Sequence, residues 1–332
     1  MKLEASSRAF ASTPVLVLGV GLIAAAVQHW APASGAIRVL RAVPADREFR
    51  TRIGPSDYPR VAWDHDDLAV HFSKPACSVV SQYWSIDEFV YSVMPPQYVT
   101  GVSESAYRER ISNVYAHVVK HKPVVASDPE RVLHLNPDLI LVSDSARADF
   151  TALVRSTGTP IFRMHTMFTK LEDVAESIRL IGYLTGQDAA AEAEYKRFQR
   201  AVERARRRRP ASMKPPRILG LGGRYSYGSE TLFHDIVRTL GGINVGAEGG
   251  LRGYENINNE QILHWNPEWI VAGADFGKEN EQLSRLLADP AISLTQAAKN
   301  GRIVILDYRV FLPMSPFTRL LLEELGDRLY GN

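Results

Sequence analysis

Apolar and polar positions divide the chain into two blocks, each of which alternates short apolar runs with stretches of helical periodicity. Strands that alternate with helices over short loops indicate a mostly parallel sheet covered by helices. In the first block the pattern predicts strands over residues 78–81, 98–102, 139–142 and 160–163, and helices over residues 86–94, 130–135 and 150–157. In the second it predicts strands over 217–221, 269–272 and 302–306, a loop over 222–228, and helices over 231–240, 283–287, 292–299 and 316–330.

Segments outside the two blocks complete the predicted architecture. Apolar runs on either side of the polar residues 64–67 predict a β-hairpin ahead of the first block. Between the blocks, the longest helical pattern of the chain has one break at residues 185–188. The fold class is therefore predicted as α/β, with two three-layer lobes whose sheets are mostly parallel, joined by a single long backbone helix. The predicted bounds are 58–168 for the N-terminal lobe with its hairpin, 169–210 for the connecting helix and 211–332 for the C-terminal lobe.

One stretch of the first block recurs in the second. Residues 130–142 and 260–272 share Glu, Leu, His, Asn, Pro and Ile at matching places. Each copy follows a residue that caps helices well, Asp128 or Asn258, and predicts a short capped helix, a break at Asn-Pro and a buried strand. A repeat at this separation indicates two similar lobes rather than a short-period solenoid.

The N-terminal residues 1–36 have a different composition. Basic residues precede the apolar run 14–27, and small residues follow it, which is typical of a secretory signal peptide. The run is shorter than the roughly 20 residues of a membrane span, although an anchor that is retained on the protein is the alternative. We expect cleavage between Ala33 and Ile37, followed by an irregular lead-in over residues 37–57.

Composition limits the function only coarsely. With 332 residues, 45% hydrophobic and 23% charged, the chain has the mix of a soluble globular protein of two domains. A formal net charge of +2 creates no field that would favour nucleic acid or an anionic membrane as partner. The one cysteine, Cys77, cannot form an internal disulfide and lies too far from the apolar run to be a lipoprotein cysteine. We expect it to be a small buried or strand-edge residue.

Common catalytic and metal motifs are not found in the sequence. The glycine-rich loop at 220–225 misses the dinucleotide spacing because Tyr225 stands where the third glycine belongs. No Walker loop, G-x-S-x-G elbow or H-E-x-x-H motif occurs. Two metal candidates are the pair His117 and His121 and the cluster 64–67, for which turn formation is the simpler explanation. We therefore expect no enzymatic activity, no catalytic residue and no cofactor or metal of the protein's own.

The loops after the predicted strands carry large aromatic and polar side chains. In open α/β sheets, ligands bind at the carboxyl ends of the strands, so two such edges facing each other would form a cleft. Aromatic rings for stacking and arginines for anionic groups suit a large, flat, partly anionic ligand, although several of the aromatics could instead cap the sheets. The candidate ligand-binding residues are Gln82, Tyr83, Trp84, Ser103, Glu104, Ser143, His165, Arg224, Tyr225, Arg252, Tyr254 and Phe311.

Several segments together match a known family. They are the hairpin, residues 78–81 with Glu88, residues 99–103, both copies of the repeat, residues 178–186 and residues 300–304. Over residues 58–330 the chain resembles the periplasmic substrate-binding proteins that serve ABC importers of ferric siderophores, haem and cobalamin. It departs from them at Gln82, Tyr83 and Trp84, which are bulkier than the small residues common in that loop.

The resemblance implies two lobes with the ligand held between them and a permease as partner. It also implies that Glu130 and Glu260, one on each lobe, dock against basic residues of that permease. The alternative is a carboxylate in a first helical turn, worth about 0.3–1 kcal/mol.

We therefore expect an exported, monomeric periplasmic protein that captures a ferric siderophore, haem or corrinoid and delivers it to an ABC importer. If the ligand is haem, His165 or a tyrosine would ligate the iron. The alternatives are a two-lobed transferase that uses the loop at Gly222 and Gly223, and a membrane-tethered ligand sensor of the same fold.

Overall fold

A computed structural model of the protein describes residues 38–39, 52–125, 128–311 and 313–331. The predicted signal peptide, its cleavage site and most of the lead-in lie outside the described residues. The strands are β1 (Arg38–Val39), β2 (Arg52–Ile53), β3 (Arg60–Trp63), β4 (Ala69–Phe72), β5 (Val79–Ser81), β6 (Val99–Val102), β7 (Val124–Val125), β8 (Leu139–Ser143), β9 (Ile161–Met164), β10 (Arg217–Gly222), β11 (Tyr225–Tyr227), β12 (Ile243–Asn244), β13 (Tyr254–Asn256), β14 (Trp269–Ala274) and β15 (Ile303–Asp307).

Helices follow most of these strands, as the alternating pattern predicted. The α-helices are α1 (Trp84–Val93), α2 (Tyr115–His121), α3 (Pro129–His134), α4 (Ala148–Ser156), α5 (Leu171–Thr185), α6 (Asp188–Arg206), α7 (Leu232–Thr239), α8 (Val245–Glu248), α9 (Asn259–Trp265), α10 (Glu279–Leu287), α11 (Pro290–Ser293), α12 (Gln296–Lys299) and α13 (Thr318–Tyr330). The helix predicted over 292–299 is divided into α11 and α12 because the Thr295 side chain caps the second of them. Among the described helices, none is long and apolar enough to cross a membrane.

The first lobe is built on a five-stranded sheet in the order β7-β6-β5-β8-β9, and all its strands are parallel. Every residue of β8 is buried, which is typical of a parallel strand covered by helices on both faces. The strand order reverses between β5 and β8, since β6 and β7 lie on one side of β5 and β8 and β9 on the other. The carboxyl ends of β5 and β8 therefore flank the position where open α/β sheets bind ligands.

The second lobe contains a six-stranded mixed sheet in the order β13-β11-β10-β14-β15, with β12 paired to β10. Strands β10, β12, β14 and β15 pair in parallel, whereas β11 pairs antiparallel with both of its neighbours, β10 and β13. The prediction of a loop over 222–228 is wrong here, because Tyr225–Tyr227 forms β11 and turns back on β10 through Gly223 at φ +73°. Strand β11 has only three residues and is flanked by glycines, so its sequence shows no strand pattern.

The two copies of the repeat fold alike. Asp128 and Asn258 each accept a hydrogen bond, 2.9 Å long, from the backbone N–H three residues further along the chain. Each helix then breaks at an asparagine in the left-handed region, Asn136 at φ +46° and Asn266 at φ +43°. The prediction of a capped helix, a break and a buried strand is confirmed in both copies.

The acidic residue after each Asn-Pro pair connects two strands. One carboxylate oxygen of Asp138 accepts hydrogen bonds from the backbone N–H groups of Cys77 (2.9 Å) and Ser78 (3.1 Å), just before β5. In the second copy, the Glu268 carboxylate accepts one from the backbone N–H of Arg217 (3.2 Å), at the start of β10. The duplicated acid therefore ties together the starts of neighbouring parallel strands in both lobes.

The connector consists of two helices rather than one continuous helix. Helix α5 ends at Gly186, which has φ +76°, and α6 begins at Asp188. The helices fold back on each other, since Arg179 pairs with Glu192 at 2.9 Å and lies 3.4 Å from the ring centroid of Tyr195. The break predicted at 185–188 is the turn of this helical hairpin.

One buried apolar cluster passes through both lobes and the connector. It includes Val79 of β5, Ile178 of α5, Phe198 of α6, Val271 of β14 and Leu325 of α13. Because the lobes share this core, a wide hinge motion between them would expose apolar surface, and we expect only limited tilting.

The predicted hairpin is confirmed as β3 and β4, and β1 and β2 extend it into a four-stranded antiparallel sheet. The lead-in is therefore not wholly irregular, but its two-residue strands are too short to show alternation. Turn chemistry at 64–67 is also confirmed, because the buried Asp64 accepts hydrogen bonds from the N–H groups of Asp66 (3.0 Å) and Leu68 (3.1 Å). Cys77 is exposed beside the start of β5, in agreement with the strand-edge alternative rather than burial.

Candidate functional site

Tyrosines of the second lobe form an aromatic surface. Tyr225 and Tyr227 lie on β11 and Tyr254 on β13, and their ring centroids are 5.6 to 6.0 Å apart. Phe311, which follows β15, packs against Tyr227 at 5.8 Å. Tyr225 and Tyr254 keep 39% and 41% of their surface exposed, whereas Tyr227 and Phe311 are buried beneath them. The cluster thus leaves two tyrosine rings exposed over two buried aromatic rings.

Tyr83 of the first lobe lies near this surface. It follows β5 at the start of α1, and its ring centroid lies 6.0 Å from that of Trp84. Burial raises the pKa of Tyr254 to about 12, and the nearby hydroxyls of Tyr225 and Tyr83 add to the rise. Tyr83 of the first lobe and Tyr225 and Tyr254 of the second therefore lie near one another, and their role in ligand binding stays a prediction.

A buried carboxylate joins the two lobes. Glu88 of α1 accepts hydrogen bonds from the backbone N–H (3.1 Å) and side-chain amide (2.9 Å) of Asn113, and from the Ser315 hydroxyl (2.5 Å). The Asn113 amide also donates to the backbone carbonyl of Arg309 at 2.8 Å. Burial raises the pKa of Glu88 to about 7, although these donors act in the opposite direction. No local pattern indicated this contact, since Ser315 lies 227 positions from Glu88.

Two of the predicted ligand-binding residues have local partners instead. The Ser103 hydroxyl donates to the buried carboxylate of Asp87 at 2.5 Å, and burial raises the pKa of Asp87 to about 7. Glu104 is exposed and pairs with Arg108 at 2.7 Å. Their side chains are thus engaged within the first lobe.

The candidate arginines differ in their surroundings. Arg252 is paired with Glu230. Arg224 is exposed at the β10–β11 turn, and its side chain has no ion-pair partner among the residues that the structure describes. Its carbonyl accepts a hydrogen bond from Ile257 at 3.1 Å, which holds the turn beside Tyr225. Arg224 is therefore the better placed of the two to pair with an anionic group on a ligand.

The turn at Gly222 and Gly223 does not have the geometry of a nucleotide loop. It connects two antiparallel strands, whereas a phosphate-binding loop leads from a strand into a helix N-terminus. The ring of Tyr225 also fills the space beside Gly222. These contacts argue against the transferase alternative.

His165 and Ser143 lie at the ends of β9 and β8. The Ser143 hydroxyl is hydrogen-bonded to Thr166 (2.8 Å) and donates to Asp144 (3.0 Å), so it supports its own lobe. His165 Nδ1 is 2.6 Å from Asp144 Oδ2, and its Nε2 is 2.8 Å from the Met167 carbonyl. Both ring nitrogens are therefore engaged, and iron ligation by His165 would require the ring to leave these partners.

The same contacts set the pKa values of Asp144 and His165. Burial opposes ionisation of Asp144, but hydrogen bonds from His165, Thr166 and Ser143 outweigh it and lower the pKa of Asp144 to about 2. Burial likewise acts to lower the pKa of His165, yet its bonds to Asp144 and to the Met167 carbonyl raise it above the usual value. Both partners of the imidazole are acceptors, which favours the doubly protonated ring.

The remaining candidates are Gln82, Glu130 and Glu260. The backbone N–H of Gln82 donates to the Leu141 carbonyl at 3.0 Å, which extends the pairing of β5 with β8. Glu130 and Glu260 are exposed in the first turns of α3 and α9. Neither carboxylate is in an ion pair with another described residue.

Residues 79–310 match the periplasmic binding protein family. The chain belongs to this family. The predicted resemblance and the predicted α/β fold class are confirmed, and the general role of the family is to bind solutes.

Curated proteins resemble part of the chain. A cobalamin-binding protein of Halobacterium salinarum is 28% identical over 179 residues, which is 53% of this chain and 48% of that protein. The chain thus spans about half the length of the curated relatives it matches.

Solved structures resemble the fold over most of the chain. The periplasmic heme-binding protein RhuT from Roseiflexus sp. RS-1 is 23% identical with a TM-score of 0.65, covering 76% of this chain and 97% of its own. A periplasmic heme binding protein from Pseudomonas aeruginosa is 20% identical with a TM-score of 0.64, covering 77% and 93%. At these identities the likeness concerns the fold.

Proposed function

We propose that this protein is exported to the periplasm, binds a metal chelate of the haem or corrinoid type in the cleft between its lobes, and delivers it to an ABC importer. The observation that carries the proposal is the approach of Tyr83 from the first lobe to Tyr225 and Tyr254 of the second. Relatives described as cobalamin-binding and heme-binding support the ligand class.

The cleft has the chemistry that a flat chelate requires. Each aromatic contact adds about 0.5–1.5 kcal/mol beyond the burial of apolar area. Arg224 would pair with a carboxylate or another anionic group at the rim of the ligand. Ferric siderophores remain an alternative ligand class, since their size and charge also suit such a cleft.

Titration with haem, cobalamin and a ferric siderophore tests the ligand. Tryptophan fluorescence and visible absorbance would follow binding to the purified protein. We expect at least one chelate to bind with a Kd below about 10 μM, roughly −7 kcal/mol. If none does, the proposed ligand class is wrong.

Paired variants test the cleft itself. Replacing Tyr83→Ala and Tyr254→Ala together should weaken binding at least about tenfold, because two stacking surfaces are lost. Tyr195→Ala is the matched control, since this tyrosine packs under Arg179 on the connector. Equal affinities for the double variant and the control would place the ligand elsewhere.

The exposed glutamates of the repeat would dock against the permease. Both stand at the head of a short helix on the surface of a lobe and lack ion-pair partners among the described residues. Glu130→Lys with Glu260→Lys should abolish transport and leave ligand affinity unchanged. The control reverses two other exposed carboxylates, Glu203→Lys and Glu281→Lys. Normal transport by the first variant, or a loss of its ligand affinity, would contradict the docking role.

A further inference from the structure

We propose that His65, Asp144 and His165 form a binding site for a divalent transition-metal cation, with zinc as the best fit. One ligand atom from each residue lies within 4.8 Å of the other two. The three residues come from the hairpin turn and from the ends of β8 and β9, so the site belongs to the first lobe alone. It is independent of the chelate proposed for the cleft.

The separations are close to those of a bound zinc. Zn–N bonds of about 2.1 Å at tetrahedral angles place ligand atoms about 3.4 Å apart and the centroids of two bound imidazoles about 5.3 Å apart. The ring centroids of His65 and His165 are 5.8 Å apart, about 0.5 Å more than this separation. The 2.6 Å contact between His165 and Asp144 would have to open by about 0.8 Å to admit the cation, and the proton on His165 Nδ1 would be released to solvent.

His65 has a ring nitrogen that lacks a partner. Its Nδ1 is buried and has no hydrogen bond. A buried ring nitrogen that is left without a hydrogen bond destabilises the folded protein. The residue is held in place by its backbone N–H, which donates to the Arg163 carbonyl at 2.8 Å beside the end of β9. A metal bond would satisfy the nitrogen without moving the turn.

The surroundings orient the other two ligands. The second carboxylate oxygen of Asp144, Oδ1, accepts hydrogen bonds from Ser143 and Thr166, both at 3.0 Å, which leaves Oδ2 directed at His165. His165 Nε2 is bonded to the Met167 carbonyl and Nδ1 is directed at Asp144. Metal-binding histidines commonly donate their other N–H to a carbonyl, and their carboxylate neighbours are hydrogen-bonded in turn.

The ligand set also selects the metal. Two imidazoles and one carboxylate suit zinc and neighbouring transition metals, whereas calcium and magnesium prefer oxygen ligands. Three protein ligands leave a fourth position for water or for an anionic group. The nearby acids Asp64 and Asp66 are paired with Arg155 and Arg163, so they do not compete for the cation.

Zinc titration of the purified, tag-free protein tests the site. Cys77→Ser serves as the background, because the exposed thiol could bind zinc by itself. Calorimetry would give the Kd for Zn²⁺, and Co²⁺ should give the intense visible absorption of a tetrahedral site. His65→Ala should reduce zinc affinity more than about 100-fold, since a ligand costs more than the 10–100-fold of an outer-shell partner. His71→Ala removes a histidine from the same hairpin sheet and should leave the affinity unchanged.

A variant beside the ligands distinguishes a specific loss of zinc affinity from a loss caused by misfolding. Thr166→Val keeps the shape of the side chain but removes a hydrogen bond to Asp144, and should weaken zinc binding about 10–100-fold. Thermal unfolding followed by circular dichroism would verify that each variant folds, and zinc should raise the Tm of the background protein but not of His65→Ala. The proposal is overturned if the background protein shows no tetrahedral cobalt spectrum, or if His65→Ala and His71→Ala bind zinc equally well. Failure of haem or cobalamin binding would leave it unaffected.

Discussion

Replacing Glu88 by glutamine should stabilise the protein at alkaline pH. The carboxylate is buried between the lobes, where one oxygen accepts two hydrogen bonds from Asn113 and the other accepts one from Ser315. The glutamine oxygen can keep both bonds from Asn113, and its NH₂ group can donate to the Ser315 oxygen. Glu88→Gln therefore preserves the shape and the contacts while it removes the titration.

The size of the effect follows from the pKa of Glu88. Burial raises it from 4.5 to about 7, so between these values the folded protein holds a proton that the unfolded chain has released. The contribution of Glu88 to the free energy of unfolding is fully present below pH 4.5 and is lost as the pH rises through about 7. The loss amounts to ~3 kcal/mol, because each pKa unit corresponds to about 1.36 kcal/mol.

Urea unfolding at a series of pH values measures this directly. We expect Glu88→Gln to match the wild type near pH 4 and to be more stable by up to ~3 kcal/mol near pH 8. Ser315→Ala is the companion variant, since it removes one donor and should raise the pKa of Glu88 further. If Glu88→Gln is less stable than the wild type at about pH 8, the carboxylate is ionised and held by its three donors, and the reasoning from burial fails.

Three further predictions concern the fold, each measured by urea unfolding. Asp138→Ala should lower the free energy of unfolding by about 1.5–3 kcal/mol, because two backbone N–H groups before β5 lose a charged acceptor. Glu268→Ala should lower it less, since only one backbone N–H group donates to the Glu268 carboxylate. Gly186→Ala should lower the free energy of unfolding more than Gly158→Ala does. Both glycines have positive φ, but a Cβ at Gly186 would meet a tyrosine hydroxyl and a proline at 2.7 and 2.8 Å, whereas a Cβ at Gly158 would meet nothing within 4 Å. Asn258→Ala should cost about 1 kcal/mol through the loss of its capping box. The reasoning is contradicted if the two acidic variants lose the same free energy of unfolding, if the two glycine variants do, or if Asn258→Ala loses none.

Features that act over a few residues could be predicted from the sequence. The repeat is the clearest case, since a capping side chain, an asparagine in the left-handed region and the proline after it set the end of each helix within a few residues. The apolar runs then required buried strands, and strand–helix alternation required mostly parallel sheets. Where local signals were weak, the prediction failed: β11 has only three residues, and β1 and β2 have two each.

The candidate site was predictable in part, because the topology of an α/β sheet places the loops after its strands at one edge. Tyr83, Tyr225 and Tyr254 were chosen as candidates in this way, and their role in binding stays a prediction. The sequence could not show that the Ser103 hydroxyl is engaged by Asp87 or that Arg252 is paired with Glu230, because these partners are set by packing.

By itself, the sequence determined the secondary structure of the repeat, the two-block organisation and the membership of the periplasmic binding protein family. Only the tertiary structure decided which distant side chains meet. Glu88 and Ser315 are 227 positions apart, and His65 is brought to Asp144 and His165 by the seating of the hairpin turn against β9. The physical reason is that caps and turns depend on neighbours along the chain, whereas a buried carboxylate or a cluster of metal ligands depends on how whole elements pack.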